Sequence, residues 1–169
     1  RQIAARLRKD GVLIDAHTHL GADLALYANG HYPYAMSAED HSVRLAHTGI
    51  GAAVCFPWLY TGYFALAAFR RNRFRRDPRG DSPHPYAFEN ERLCREVYQA
   101  FPETAGRLLP FASFDPLRRA REQAAGIRDL AARFPLFGLK SATSYLHAPV
   151  TTLLKEGACL LDLAAELGL

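Results

Sequence analysis

Two histidines two residues apart, His17 and His19, follow the apolar run Val12-Leu13-Ile14 in the stretch Asp15-Ala16-His17-Thr18-His19. An apolar run of this kind reads as a buried strand that delivers both imidazoles at its C-terminal end. In a regular strand successive side chains alternate, so Leu13, Asp15, His17 and His19 fall on one side. Neutral imidazoles so placed can grip one metal ion of the zinc, iron or manganese type. At the mouth of a barrel such a pair is half of a hydrolytic metal site. Asp15 lies one layer deeper. It either orients an imidazole from behind or is a structural carboxylate tied to backbone.

The elements that must hold this pair can be read along the chain. Ser37-Ala38-Glu39-Asp40 opens a helix with a capping-box acid; the helix runs to about Thr48 and Gly49 stops it. Ile50 to Phe56 is an apolar strand without polar alternation, as expected for a parallel strand covered on both faces, and Pro57 ends it. Residues 58–86 read as an insertion, partly helical, with an aromatic piece and an arginine-rich piece. A helix follows from about Ala87 to Phe101, then a strand over Leu108–Phe114 closed by Asp115-Pro116. A helix over Leu117–Phe134, a strand over Leu136–Ala142 and a last helix over Thr152–Leu167 complete the order. Strand and helix alternate four times with no hairpin signal, which predicts α/β architecture with parallel strands. No initiator Met is present, and the chain stops after a glycine that follows a helix, so it reads as cut at a strand boundary after four of the eight units of a closed barrel.

The 169 residues suffice for one domain, and 49% of them are hydrophobic, ordinary for a globular protein. No apolar run approaches bilayer length, and the basic start has no apolar signal core, so neither a membrane protein nor a secretory leader is expected. Cys55, Cys94 and Cys159 are scattered, odd in number and form no CxxC pair, which predicts reduced thiols in a cytoplasmic protein. The net charge is +4. Six arginines (70, 71, 73, 75, 76 and 79) concentrate it, and they are read as a solvated loop rather than a nucleic-acid patch. Glycine signatures for dinucleotides, nucleoside triphosphates and serine nucleophiles are absent.

Several further side chains are candidates. Lys140 stands at the C-terminal end of the fourth strand, and Ser144, Tyr145 and His147 follow it in a loop of the kind that lines a barrel's reaction face. His147, His31 and His41 are read as surface histidines, His47 as lying on a helix flank, and His84 as exposed. Trp58, Tyr60 and Tyr63 are either an apolar wall for a substrate or packing of the insertion. Asp115 is either a site residue or a turn opener.

Three pieces together carry a likeness: Ile14-Asp15-Ala16-His17-Thr18-His19-Leu20, Leu109-Pro110-Phe111-Ala112-Ser113-Phe114-Asp115-Pro116, and Phe137-Gly138-Leu139-Lys140. With the closing helix through Ala164-Ala165-Glu166-Leu167-Gly168-Leu169, they resemble the amidohydrolase superfamily. The nearest part is the amidohydrolase-related group, which includes aromatic-acid decarboxylases and lactone hydrolases. The resemblance covers nearly the whole chain in order. It implies a metal-dependent (β/α)8 barrel of which this chain holds about the first four β/α units. It implies His17 and His19 as ligands of one divalent ion, zinc first, with manganese or iron as alternatives. The family's other ligands, on later strands, have no counterpart before Leu169. In two-metal relatives a lysine at the place of Lys140 is carboxylated. The group resembled here is mononuclear, so Lys140 is expected to bind a substrate carboxylate or pair with a neighbour, and it is the candidate catalytic side chain.

The function so implied is metal-assisted attack of water on a carbonyl (amide, ester or lactone) of a small organic substrate, without nucleic-acid or membrane partners. Decarboxylation of an aromatic or related acid is the alternative on the same fold. A TatD-like metal nuclease also opens with an Asp-x-His-x-His-Leu strand and would suit the arginines, yet Lys140 stands where that family shows an acidic motif. A non-catalytic half-barrel that works by association is the last reading. Its open strand edges would favour a homo-oligomer or self-association.

Overall fold

Four parallel strands joined by helices form a mixed α/β domain in the computed structural model, which describes residues 5, 7, 9, 11–23, 35–59 and 62–169. The strands are β1 (Ile14–Ala22), β3 (Ala52–Pro57), β4 (Leu108–Phe114) and β5 (Gly138–Ser141). They lie side by side in chain order, and β2 (Ala35–Met36) adds an antiparallel edge to the end of β1. That short pairing departs from the expectation of parallel strands alone. The sheet is open, with β2 and β5 at its edges. His31 and Tyr60 lie outside the described residues.

Between β1 and β3 runs α1 (Ala38–Thr48). Its start carries the expected capping box between Ser37 and Asp40, and Gly49 ends it in the left-handed conformation. After β3 the chain enters the insertion, which holds the short helix α2 (Leu66–Phe69). Next come α3 (Ala87–Arg95), extended by a π-helical turn over Glu96–Ala100, then α4 (Ala120–Arg133) before β5 and α5 (Ala158–Leu167) at the end. No helix among the described residues is long and apolar enough to cross a membrane.

Register shows which side of the sheet the helices cover. Ala53 pairs with Leu108, and Cys55 with Pro110. Ala53, Cys55 and Leu108 are wholly buried against Leu45 of α1, Leu93 of α3 and Val97. Ala112 and Phe114, on the same side of β4 by strand alternation, pack with Ala124 and Ile127 of α4 and Leu160 and Leu163 of α5. Helices α1, α3, α4 and α5 therefore lie on one face. On the opposite face Ile14 is 45% exposed, and among the described residues an apolar groove of about 480 Å³ runs between Leu7, Val12, Ile14, Val54, Leu109 and Phe111.

Two helices begin later than their periodicity predicts. The turn after β4 delays α4 from Leu117 to Ala120. The Asp115 carboxylate accepts the Leu117 backbone N–H at 2.9 Å, Gln123 clamps the Asp115 backbone through both ends of its amide, and Arg119 takes a left-handed φ of 52°. The last helix is not continuous from Thr152. A 3-10 turn over Val150–Leu154 comes first, and α5 starts at Ala158. Lys155, at φ −119° and ψ −99°, leaves the helical path between them, and Gly157 lets its backbone lie against Pro116, where a side chain would collide.

Two histidines are less accessible than their sequence context predicts. His84 is only 8% exposed. Its Nδ1 lies 3.0 Å from the Pro85 carbonyl, and its ring is pressed against Gly126 of α4. His41 is buried beneath α1 with Nδ1 3.0 Å from the Met36 sulfur. Burial lowers its pKa. In both cases helix packing encloses a ring that local sequence would leave in solvent. Exposed His47 does lie on α1.

Candidate functional site

The end of β1 is not a regular strand. Asp15 pairs with Ala53 and Thr18 with Cys55, so β1 spends one more residue than β3 over this interval, a β-bulge. The Asp15 carboxylate accepts the His17 backbone N–H at 3.0 Å inside that bulge. The extra residue inverts the alternation. Asp15 and Thr18 share the helix-covered side with Ala53 and Cys55, while His19, paired with Phe56, turns to the open face together with His17. Asp15 thus does not share the histidines' face, contrary to simple alternation. Its charge acts instead on His41 and Cys55, and its role is to hold backbone.

On the open face the two imidazoles converge. His17 Nε2 and His19 Nε2 stand 3.1 Å apart. From β5, distant by 123 positions, Lys140 brings Nζ to 3.3 Å from His17 Nε2. Lys140 arrives there because it is in register with Ser113 of β4, on the side of the sheet that carries Phe111. Phe56 and Phe111 make the floor. The Lys140 ammonium lies 4.1 Å from the centre of the Phe56 ring, His17 meets that ring edge-on at 5.0 Å, and Phe111 packs against it at 5.6 Å.

His19 is fixed on both sides. Trp58 stacks on it with ring centres 4.1 Å apart and planes at 20°. Its Nδ1 lies 3.3 Å from the Pro57 carbonyl. A carbonyl only accepts, so Nδ1 carries the proton and Nε2 presents its lone pair. Burial, the largest cause, together with the charges of His17 and Lys140, pushes the His19 pKa down to about 4, against the opposing pull of the Pro57 carbonyl. At neutral pH His19 is therefore an uncharged imidazole. Burial also lowers the Lys140 pKa.

The pair fits two positions around a metal ion. With imidazole–metal bonds of about 2.0–2.1 Å, the 3.1 Å spacing corresponds to an angle at the ion of about 95–100°. Among the described residues no group of three His, Cys, Asp or Glu side chains converges, so for a metal ion the pair would supply two of the three or four protein ligands a catalytic site uses.

The other candidates separate. Trp58 belongs to the site, whereas Tyr63 packs inside the insertion against Phe64. Asp115 is wholly buried and paired with Arg118 at 2.5 Å, a structural carboxylate of the turn. His147 and Tyr145 are exposed and pack their rings on Phe74 of the insertion rather than on the histidine pair. Cys55 and Cys94 are buried, with thiols pushed up to about 12, and Cys159 is half-buried. Sequence reading missed Phe56 and Phe111 as the floor. Counting alternate residues back from the strand ends would have placed both on one side.

No family model matches the chain, and neither a curated protein nor a solved structure matches it. The chemistry of the site therefore rests on its own geometry.

Proposed function

We propose that this chain is the N-terminal part of a (β/α)8 barrel of the amidohydrolase-related type, and that it binds one divalent ion, zinc first, through His17 and His19 to hydrolyse a carbonyl substrate. The observation that carries this reading is the 3.1 Å approach of two imidazole Nε2 atoms on one strand end. When bound, such an ion lowers the pKa of a coordinated water and polarises a carbonyl. His19 contributes a lone pair whose direction Pro57 and Trp58 hold. Lys140, beside His17 and above Phe56, orients an electronegative group of the substrate. Phe56, Phe111 and Trp58 exclude water around it. The three free cysteines, two of them buried, fit a reducing cytoplasm, and the open sheet face is compatible with self-association.

Metal content by elemental analysis tests the reading. About one zinc, manganese or iron per chain is expected in the purified protein, and it should vanish in the folded His17→Ala/His19→Ala variant. Wild type and variant that are both folded and metal-free would sink it.

Decarboxylation of an aromatic acid is the second reading, favoured by the aromatic floor with a lysine amine directly above it. Release of carbon dioxide from benzoic-acid derivatives, with no cleavage of lactones or esters, would select it.

A further inference from the structure

The helices pair most of the arginines they carry, Arg44 and Arg121 being the two that make no ion pair among the described residues. Arg92 meets Glu96, Arg95 and Arg133 share Glu91, Arg119 meets Glu122 and Arg128 meets Glu166. The insertion does the reverse. Over residues 70–79 six arginines face one acid, Asp77, a local charge of +5 against +4 for the whole chain, so the remainder of the chain carries −1. Asp77 is taken by Arg79 at 3.2 Å. Arg71, Arg73 and Arg75 are exposed and make no ion pair among the described residues.

These arginines stand on a held framework. The backbone N–H groups of Arg71 and Arg73 donate to one and the same carbonyl, that of Ala68, at 3.0 and 2.9 Å. Asn72 between them, at φ 56°, makes the reversal. Ala65 N–H to the Arg75 carbonyl at 2.8 Å and Asp77 N–H to the Tyr63 carbonyl at 2.9 Å close the other side. Phe74 turns inward onto Phe64 and Phe69. That leaves Arg73 and Arg75, on either side of it, to point outward together.

The framework sits at the reaction end of the sheet. The insertion begins directly after Trp58, the residue stacked on His19. It packs its rings on Tyr145 and His147 after β5 and on Arg118 after β4. Because the strands are parallel, these loops all lie at the end where His17, His19 and Lys140 converge. Like charges held together raise the energy of the folded state unless an anion shares the space. One carboxylate is matched by one or two arginines elsewhere in this molecule. Three further guanidiniums without a carboxylate match a more highly charged group, and guanidinium forks fit phosphate oxygens in pairs.

We propose that Arg71, Arg73 and Arg75 form an arm that captures the phosphate group of a small-molecule substrate at the mouth of the His17–His19–Lys140 site. That the ligand is the substrate rests on the function proposed above. The anion binding itself does not.

The test is titration calorimetry of the whole chain with inorganic tripolyphosphate, with citrate as a polycarboxylate control. Wild type should bind tripolyphosphate more tightly than citrate, and binding should weaken as salt is raised. The Arg71→Ser/Arg73→Ser/Arg75→Ser variant, altered only at exposed positions, should fold normally by circular dichroism and bind about tenfold or more weakly. The His17→Ala/His19→Ala variant should keep tripolyphosphate binding, which separates failure of the arm from failure of the metal reading. Equal binding by wild type and the triple-serine variant would overturn the arm. Equal affinity for citrate would overturn the phosphate assignment. Far tighter binding of an oligothymidylate than of tripolyphosphate would replace the small molecule with nucleic acid.

Discussion

The carboxylate of Asp15 accepts the backbone N–H of His17 at 3.0 Å, inside the bulge that turns both imidazoles onto the open face of the sheet. A residue that looks like a candidate partner for an imidazole ring thus sets the path of the backbone behind it. Asp15→Ala should cost about 1–2 kcal/mol, because it leaves that N–H without its acceptor, and should weaken metal binding by about tenfold. Asp15→Asn keeps an acceptor oxygen and should stay near wild type in both respects. Equal metal affinity in Asp15→Ala and wild type, measured by competition with a chelating dye, would remove Asp15 from this role.

Trp58 is the single tryptophan of the chain and lies on the His19 ring. Metal binding at Nε2 should therefore change the intrinsic fluorescence, and the change should disappear in the His17→Ala/His19→Ala variant. Trp58→Leu should preserve the fold and weaken the metal, since the imidazole loses the ring stacked on it. A fluorescence response to zinc that survives removal of both histidines would place the metal elsewhere.

Asn90 of α3 replaces a missing strand neighbour. Its amide donates to the Ser113 carbonyl at 2.9 Å and accepts the Ser113 N–H at 2.8 Å. The β3–β4 pairing ends at Cys55 and Pro110, so these two backbone groups are left to a side chain. Asn90→Leu should destabilise the domain by about 2–4 kcal/mol by stranding both buried groups. Because Ser113 is in register with Lys140, the same change should disturb the site. A denaturation midpoint equal to wild type would contradict this account.

Glu91 joins α3 to α4. Its carboxylate receives Arg133 Nη1 at 2.8 Å and Arg95 Nε at 2.6 Å. Arg133, the largest cause, together with Arg95 outweighs the opposing effect of burial and pushes its pKa down to about 2. The folded pKa lies below the ordinary carboxylate value of about 4.3. The stabilisation is therefore complete above that value and is lost as pH falls toward 2. Solvent screening limits it to about 1 kcal/mol. Glu91→Gln should lower stability at pH 7 by that amount and flatten the decline between about pH 4.5 and pH 2. Parallel acid-unfolding curves for the two proteins would argue against the link.

Cys55 and Cys94 are buried with thiols pushed up to about 12, while Cys159 is half-buried. A thiol reagent added to the folded protein near neutral pH should modify Cys159 alone, and all three cysteines only after unfolding. Prompt labelling of Cys55 would show that α1 and α3 do not seal the sheet as described.

The histidine pair, the alternation of strands and helices and the capping box at Ser37 were legible in the residues, because each depends on neighbours within a few positions. Apolar runs mark strands, a period of 3.6 marks helices, and Gly49 and Gly168 take the left-handed conformations that end α1 and α5. Other features depend on contacts made across the chain. Alternation puts Asp15 beside the histidines, and only the register against β3 exposes the bulge that sends it to the other face. Lys140 reaches His17 because four strands align in register. His84 is buried because α4 presents Gly126 to it, and Gly157 lies against Pro116 because the turn after β4 meets the start of α5. Composition shows how many arginines the chain has. Packing decides which of them find carboxylates far along the chain, since Glu91 meets Arg133 and Glu166 meets Arg128 only after the helices pack.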